Sequence, residues 1–263
     1  MNKFNKMTKF FLMLSVAGFA NVATCDTLTD NIKGAYLGIG AGIISLDNQV
    51  TGAGTISIND MVSSSTTNDV EGGNYGFNGD LFAGYSWTFT NNLFLAGEIF
   101  GNLTNVPVPA VDNTTLETDA VGNSSYDTTT INMTLKGDYG IRLLPGYQVK
   151  PGVAIYGIVG YSRAKMDVST SHSLSATTST DTTSTYPLSS TDNYWFNGLQ
   201  LGLGSMMKVT EHLAIRGDII WTGYQTQTIS GNSTSTSTGS SDGSIEAQPT
   251  TVEGDVSLVY MFD

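Results

Sequence analysis

The stretch TTVEGDVSLVYMF, residues 250–262, decides the fold. Val252, Val256, Leu258, Tyr260 and Phe262 recur at even positions, while Glu253, Asp255 and Ser257 fall between them. A period of two places each set on its own face of a strand. One face is apolar and ends in aromatic rings; the other carries carboxylates in mid-strand. Such a strand separates an apolar medium from a polar one.

The same alternation recurs upstream, in eight segments in all, near 34–43, 74–87, 92–101, 130–144, 153–166, 194–209, 212–225 and 250–262. In the second, Tyr75, Phe77, Leu81, Ala83, Tyr85 and Trp87 share a face opposite Asn78, Asp80, Gly84 and Ser86. In the fourth, Ile131, Met133, Leu135, Tyr139, Ile141 and Leu143 stand opposite Asn132, Thr134, Lys136, Asp138 and Arg142. In the seventh, Leu213, Ile215, Ile219 and Trp221 stand opposite Arg216, Asp218 and Thr222. Helical periodicity is absent, and no later run reaches the length of a transmembrane helix. The links alternate strictly. Short ones lie at 88–91, 145–152 and 210–211. Long ones lie near 44–73, 102–129, 167–193 and 226–249, so they all leave one end of an up-and-down meander. The Ser/Thr-rich runs at 169–185 and 232–241 have little to bury and read as mobile, hydrated loops.

The composition fits this pattern. The chain has 263 residues, of which 13% are charged, against about 25% in ordinary soluble domains. Twelve Tyr, 11 Phe and 3 Trp exclude disorder throughout. One cysteine excludes an intramolecular disulfide framework. Eleven basic residues against 23 acidic ones exclude the positive face of a nucleic-acid binder. At the N-terminus Lys3, Lys6 and Lys9 precede the short apolar run Phe10–Ala20 and small residues up to Ala23. This is the order of a secretory signal, assigned to residues 1–25, with the barrel over 26–263. Cleavage after Ala20 and after Ala23 both fit. Cys25 reads as a lone cysteine near the cleavage site, because Thr24 and Asp26 suit a lipoprotein signal poorly.

The apolar face could turn inward, as in a soluble barrel, or outward to lipid. Glu98, Lys136, Asp138, Arg142, Arg216, Asp218, Glu253 and Asp255 all lie in mid-strand on the non-apolar face. In a soluble barrel they face water. In a narrow membrane barrel they share the lumen and must pair in part, since the acids outnumber the bases. Rings at both ends of the second segment, and again at Tyr161, Trp195, Trp221 and Tyr260, match the two interfaces of a bilayer. The expected fold is therefore all-β: a single eight-stranded antiparallel up-and-down transmembrane β-barrel with four long extracellular loops.

The closing strand, with Val256, Leu258, Tyr260 and Phe262, resembles the C-terminal assembly signal of bacterial outer-membrane barrels. It departs from that signal by one further residue, Asp263. Gly34–Gly42, Asp80–Trp87 and RLLPGYQVKPGVAIYG (142–157) are similar to the OmpA-type and opacity-like surface-antigen barrels. The resemblance implies export to the outer membrane, folding by the barrel-assembly machinery, and lipid as the surrounding partner. It implies no cofactor.

Little chemistry is on offer. His172 lies in a Ser/Thr-rich loop between Ser171 and Ser173, and His212 stands in a short turn beside Glu211. Neither position holds a hydrogen-bonded triad to catalytic tolerance. Gly38, Gly40 and Gly42 lack the helix of a dinucleotide fingerprint and suit close packing. The loop acids Asp47, Asp60, Asp69, Glu71, Asp112, Glu117 and Asp119 lack calcium-ligand spacing and read as solvated. The expected function is non-catalytic: a surface barrel whose hydrated loops serve envelope structure or contact a surface ligand or host receptor. The alternative is a narrow pore for small solutes or ions.

Overall fold

Eight long antiparallel strands close into a barrel in the computed structural model, which describes residues 32–58, 61–63, 68–118, 124–177, 183–230, 234–236 and 239–262. The segment 1–25 read from the sequence as a secretory signal, with both expected cleavage points and Cys25, lies outside the described residues. The strands are β1 (Gly34–Ile58), β2 (Met61–Ser63), β3 (Asn68–Thr88), β4 (Leu93–Thr118), β5 (Ser124–Lys150), β6 (Val153–Thr177), β7 (Thr183–Lys208), β8 (Leu213–Tyr224), β9 (Gln227–Ser230), β10 (Thr234–Thr236) and β11 (Gly239–Met261). The ring runs β1-β3-β4-β5-β6-β7-β8-β11 and closes where β11 pairs with β1. The short β2, β9 and β10 decorate the β1–β3 and β8–β11 hairpins. All-β architecture, strand number and meander order are those expected from the sequence.

The strands are longer than expected. About 9–11 residues cross a bilayer, yet β5 has 27 residues and β6 has 25. Their pairing continues from Lys150↔Val153 up to Ser124↔Thr177. Much of what the composition marks as loose loop is therefore paired backbone. Within 169–185, β6 pairs with β7 through Ser169↔Thr191, His172↔Leu188 and Thr177↔Thr183. Thr is a good strand former, and backbone pairing requires no apolar side chain. Composition reports what a segment can bury, and that is a different property.

The outer wall carries a broad apolar band. Phe77 is 83% exposed, Leu103 79% and Leu203 73%. A band of this extent is untenable in water and matched to lipid. At the short-turn end it is edged by Tyr85, Trp87, Tyr147, Tyr260 and Phe262, and at the far end by Tyr75, Tyr139, Tyr161 and Trp195.

Beyond that far edge the faces exchange character. Asp47, Gln49, Asn105 and Asn193 point outward, while Ile44, Leu46, Val106, Met133, Leu135 and Met166 are buried inside. In β5 a bulge makes the exchange. The register shifts between Leu135 and Gly137 opposite β6, and Gly137 has φ 150. The extra residue is Lys136. Below it Tyr139, Ile141 and Leu143 face outward; above it Met133 and Leu135 face inward. The single apolar face read through 131–143 is thus two faces joined at a bulge.

Candidate functional site

The lumen is layered. An apolar plug at the short-turn end contains Tyr36, Phe82, Phe94, Phe100, Tyr156 and Ile158. A second, toward the long hairpins, is built on the outer-half residues named above together with Val168, Phe196 and Tyr224. Between them lies a charged waist. Most of the charge expected inside a membrane barrel gathers in this waist; Asn48 is buried above it, and Ser86, Gln148 and Lys208 toward the short-turn end.

Glu98 is its hub. One of its oxygens accepts hydrogen bonds from Arg216 Nη1 and from the Tyr36 hydroxyl, the latter at 3.1 Å. The other lies 3.8 Å from Arg142 Nη1. Arg142 reaches Glu253 at 3.2 Å and donates through Nε to Gln200 at 2.9 Å. Arg216 Nε pairs with Asp218 at 2.5 Å, and Asp218 also accepts from Tyr156 at 2.7 Å. Both guanidinium groups lie on rings, Arg142 3.6 Å from the Phe100 centroid and Arg216 4.4 Å from that of Phe82. Guanidinium planes suit this double use, donating in plane and stacking on the face.

The remaining carboxylates are held by neutral donors. Asp138 accepts from Ser162 at 2.5 Å and Asn102 at 3.1 Å; Asp255 accepts from Asn78 at 2.7 Å; Asp80 accepts from Ser257 at 3.3 Å. Asn102 also donates to Glu253 at 3.2 Å. The spaced glycines of β1 make room for this packing. A Cβ on Gly40 would meet Asp80 at 2.3 Å, and one on Gly42 would meet Asp255 at 2.0 Å and the Gly254 carbonyl at 2.3 Å.

The structure brings together seven of the eight mid-strand charges named from the sequence: Glu98, Asp138, Arg142, Arg216, Asp218, Glu253 and Asp255. Lys136 stands apart. The bulge turns it to the outer wall, where its ammonium donates to Asn105 at 2.9 Å and lies 3.8 Å from Asp167. Asp80 completes the waist and belongs to the same face of its strand, so its signal was present in the alternation. Lys208 is buried on the inner face at the short-turn end. The rings of Phe82, Phe100, Tyr36 and Tyr156 gave no signal, because on a polar face an aromatic interrupts the pattern.

Val256, Leu258 and Tyr260 lie on the outer wall of β11 and Phe262, exposed, just past its end, where the Phe262 amide donates to the Ala35 carbonyl at 2.8 Å to complete the seam. His172 lies within β6, paired through its backbone, rather than in a loop. Its side chain, like those of Asp69, Glu71, Asp112 and Glu117, is outside the description, and Asp60 and Asp119 lie outside the described residues altogether. His212 stacks on Tyr260 with centroids 5.9 Å apart. Among the described residues no group of three or more His, Cys, Asp or Glu is arranged to hold a metal ion.

Residues 10–253 match the family model described as "Outer membrane protein beta-barrel domain". No curated protein matches the sequence. Among solved structures, the outer membrane protease OmpT from Escherichia coli aligns with a TM-score of 0.41 and 10% identity over 90% of this chain and 99% of that one. The outer membrane protein OprG from Pseudomonas aeruginosa aligns with a TM-score of 0.41 and 12% identity over 89% and 99%. Ail, the attachment invasion locus protein of Yersinia pestis, aligns with a TM-score of 0.29 and 10% identity over 81% and 98%.

Proposed function

The chain belongs to the outer membrane protein β-barrel family, and from that premise we propose that it acts as a surface-display barrel of the outer membrane, presenting its long hairpins for envelope structure or surface contact without catalysis. The observation that carries this reading is the filled lumen. Apolar residues buried to within a few per cent lie on both sides of the waist, and an eight-stranded barrel has room inside for little more than its own side chains. What remains available to a partner is the hairpin end, where four strand pairs rise beyond the apolar band.

The lipid-facing C-terminal strand supports folding by the barrel-assembly machinery, with Val256, Leu258, Tyr260 and Phe262 as the element recognised. A second reading, a narrow cation path, draws on one observation. The waist holds Asp80, Glu98, Asp138, Asp218, Glu253 and Asp255 against Arg142 and Arg216. That path requires both plugs to move.

A strain carrying shortened hairpins tests the proposal. Loss of surface binding or cell attachment with unchanged envelope permeability is the expected result. Unchanged attachment with altered solute uptake favours the pore.

A further inference from the structure

The basic residues beyond residue 25 fall into three groups. Arg142 and Arg216 occupy the waist. Lys33, Lys150 and Lys208 lie at the short-turn end. The rest, Lys136, Arg163 and Lys165, sit together on the outer wall of β5 and β6, at the upper edge of the apolar band. Register places them side by side. Arg163 pairs with Tyr139 on β5 and Asn197 on β7; Lys165 pairs with Gly137 and Trp195; Lys136 emerges at the bulge next to Gly137. Adjacent strands are about 4.8 Å apart, so the three cationic ends lie within reach of a single phosphoryl group or two neighbouring ones. Asp167, paired with Lys136, offsets part of this charge.

The height of the patch selects a lipid over a soluble anion. Beside the cations, at paired positions of β5 and β7, lie Tyr139 and Trp195, edge to face with centroids 5.9 Å apart, and the Arg163 guanidinium lies 5.1 Å from the Trp195 centroid. Lower down, from β6 across β7 and β8 to β11, a groove of about 330 Å³ opens on the lipid-facing wall, lined by Val159, Leu199, Leu201, Trp221 and Gly223, with Gln248 and Thr250 at its far side. Val159 and Arg163 are four residues apart on one strand, about 13 Å. Cations at headgroup height, beside an aromatic pair and above a largely apolar groove, match an anionic headgroup with an acyl chain below it. The wall across the ring, formed by β1 and β11, carries exposed Asp47 and Glu246 instead.

We propose that the β5–β8 wall is a binding site for a phosphorylated glycolipid of the outer leaflet, with Lys136, Arg163 and Lys165 on its phosphoryl groups and an acyl chain in the Val159–Leu199–Trp221 groove. The site is independent of whatever the hairpins contact.

Native mass spectrometry of the full chain, extracted from outer membranes and exchanged against defined lipids, tests it. The probes are diphosphorylated lipid A, the same lipid dephosphorylated, and phosphatidylcholine. The wild type should retain the diphosphorylated form about tenfold more than the other two, given the attraction of each cation near a membrane surface. The triple variant Lys136→Gln, Arg163→Gln, Lys165→Gln should lose that preference, and Asp47→Asn with Glu246→Gln should keep it. Heat-modifiable mobility confirms that each variant is folded; should the triple variant not fold, Arg163→Gln and Lys165→Gln singly should each weaken the preference. Equal retention of the two lipid A forms by wild type, or undiminished preference in the variants, overturns the proposal. So does displacement of the lipid by soluble inositol hexakisphosphate, which assigns the patch to a soluble polyanion.

Discussion

Arg216 shows how a charge is kept inside this barrel. It is fully buried, yet its donors meet Glu98 and Asp218 and its face lies on Phe82. Removing the cation leaves two buried carboxylates without their partner. Arg216→Met should therefore lower the unfolding free energy by about 3–5 kcal/mol, and adding Glu98→Gln should recover part of it. Urea unfolding in lipid vesicles, followed by tryptophan fluorescence, measures both. Gly42 presents the steric counterpart. A methyl group there meets a backbone carbonyl as well as Asp255, so Gly42→Ala should cost about 1–3 kcal/mol in the same assay. The charges of the waist were legible in the sequence because each interrupts an apolar alternation at an in-phase position. Asp80 met that criterion equally. The partners that complete the waist were not legible: which serine or asparagine reaches which acid depends on strands far apart in the chain, such as Asn78 on β3 and Asp255 on β11.

At the scale of the strand, the bulge in β5 decides which residues meet lipid. Period-two reading carries Met133 and Leu135 onto the face of Tyr139 and Ile141, and it carries Lys136 into the lumen. One inserted residue reverses both. A bulge leaves no mark in alternation when apolar residues sit on the correct face both above and below it, as they do here. Its only trace is Gly137, whose positive φ suits glycine. Deleting Lys136 should leave a regular ladder in which Leu135 stays inward and Tyr139 outward, because the two are then three residues apart. With Lys136 present, maleimide labelling should be at least about tenfold slower at Leu135→Cys than at Thr134→Cys, as a one-residue slip exchanges the faces. Faster labelling at Leu135→Cys than at Thr134→Cys would place the reversal elsewhere.

The whole molecule is two barrels stacked on one set of strands. The lower one has lipid outside and, inside, a charged waist over an apolar plug; the upper one has polar groups outside and an apolar core, like a protein in water. The lower barrel was legible in the sequence, since outward apolar residues, mid-strand charges and terminal aromatics all report the bilayer. The upper one was not, because its Ser/Thr-rich edges resemble loops in composition while their backbones pair as ribbons. Its core ends near Val168 and Phe196. Replacing residues 173–187 with a two-residue Asn-Gly turn, which joins the register pair His172↔Leu188, should leave heat-modifiable mobility and the unfolding midpoint unchanged. A fall in either would show that the hairpin tip contributes to the core.

The central claim is that two apolar plugs close the lumen, so that the barrel works through its outer surfaces. Conductance of the purified, folded protein in planar bilayers tests it most directly. The filled lumen predicts no stable channel steps at any applied voltage that the membrane tolerates. Stable steps of uniform size, lost on heat unfolding, would contradict it and make the charged waist a path for ions.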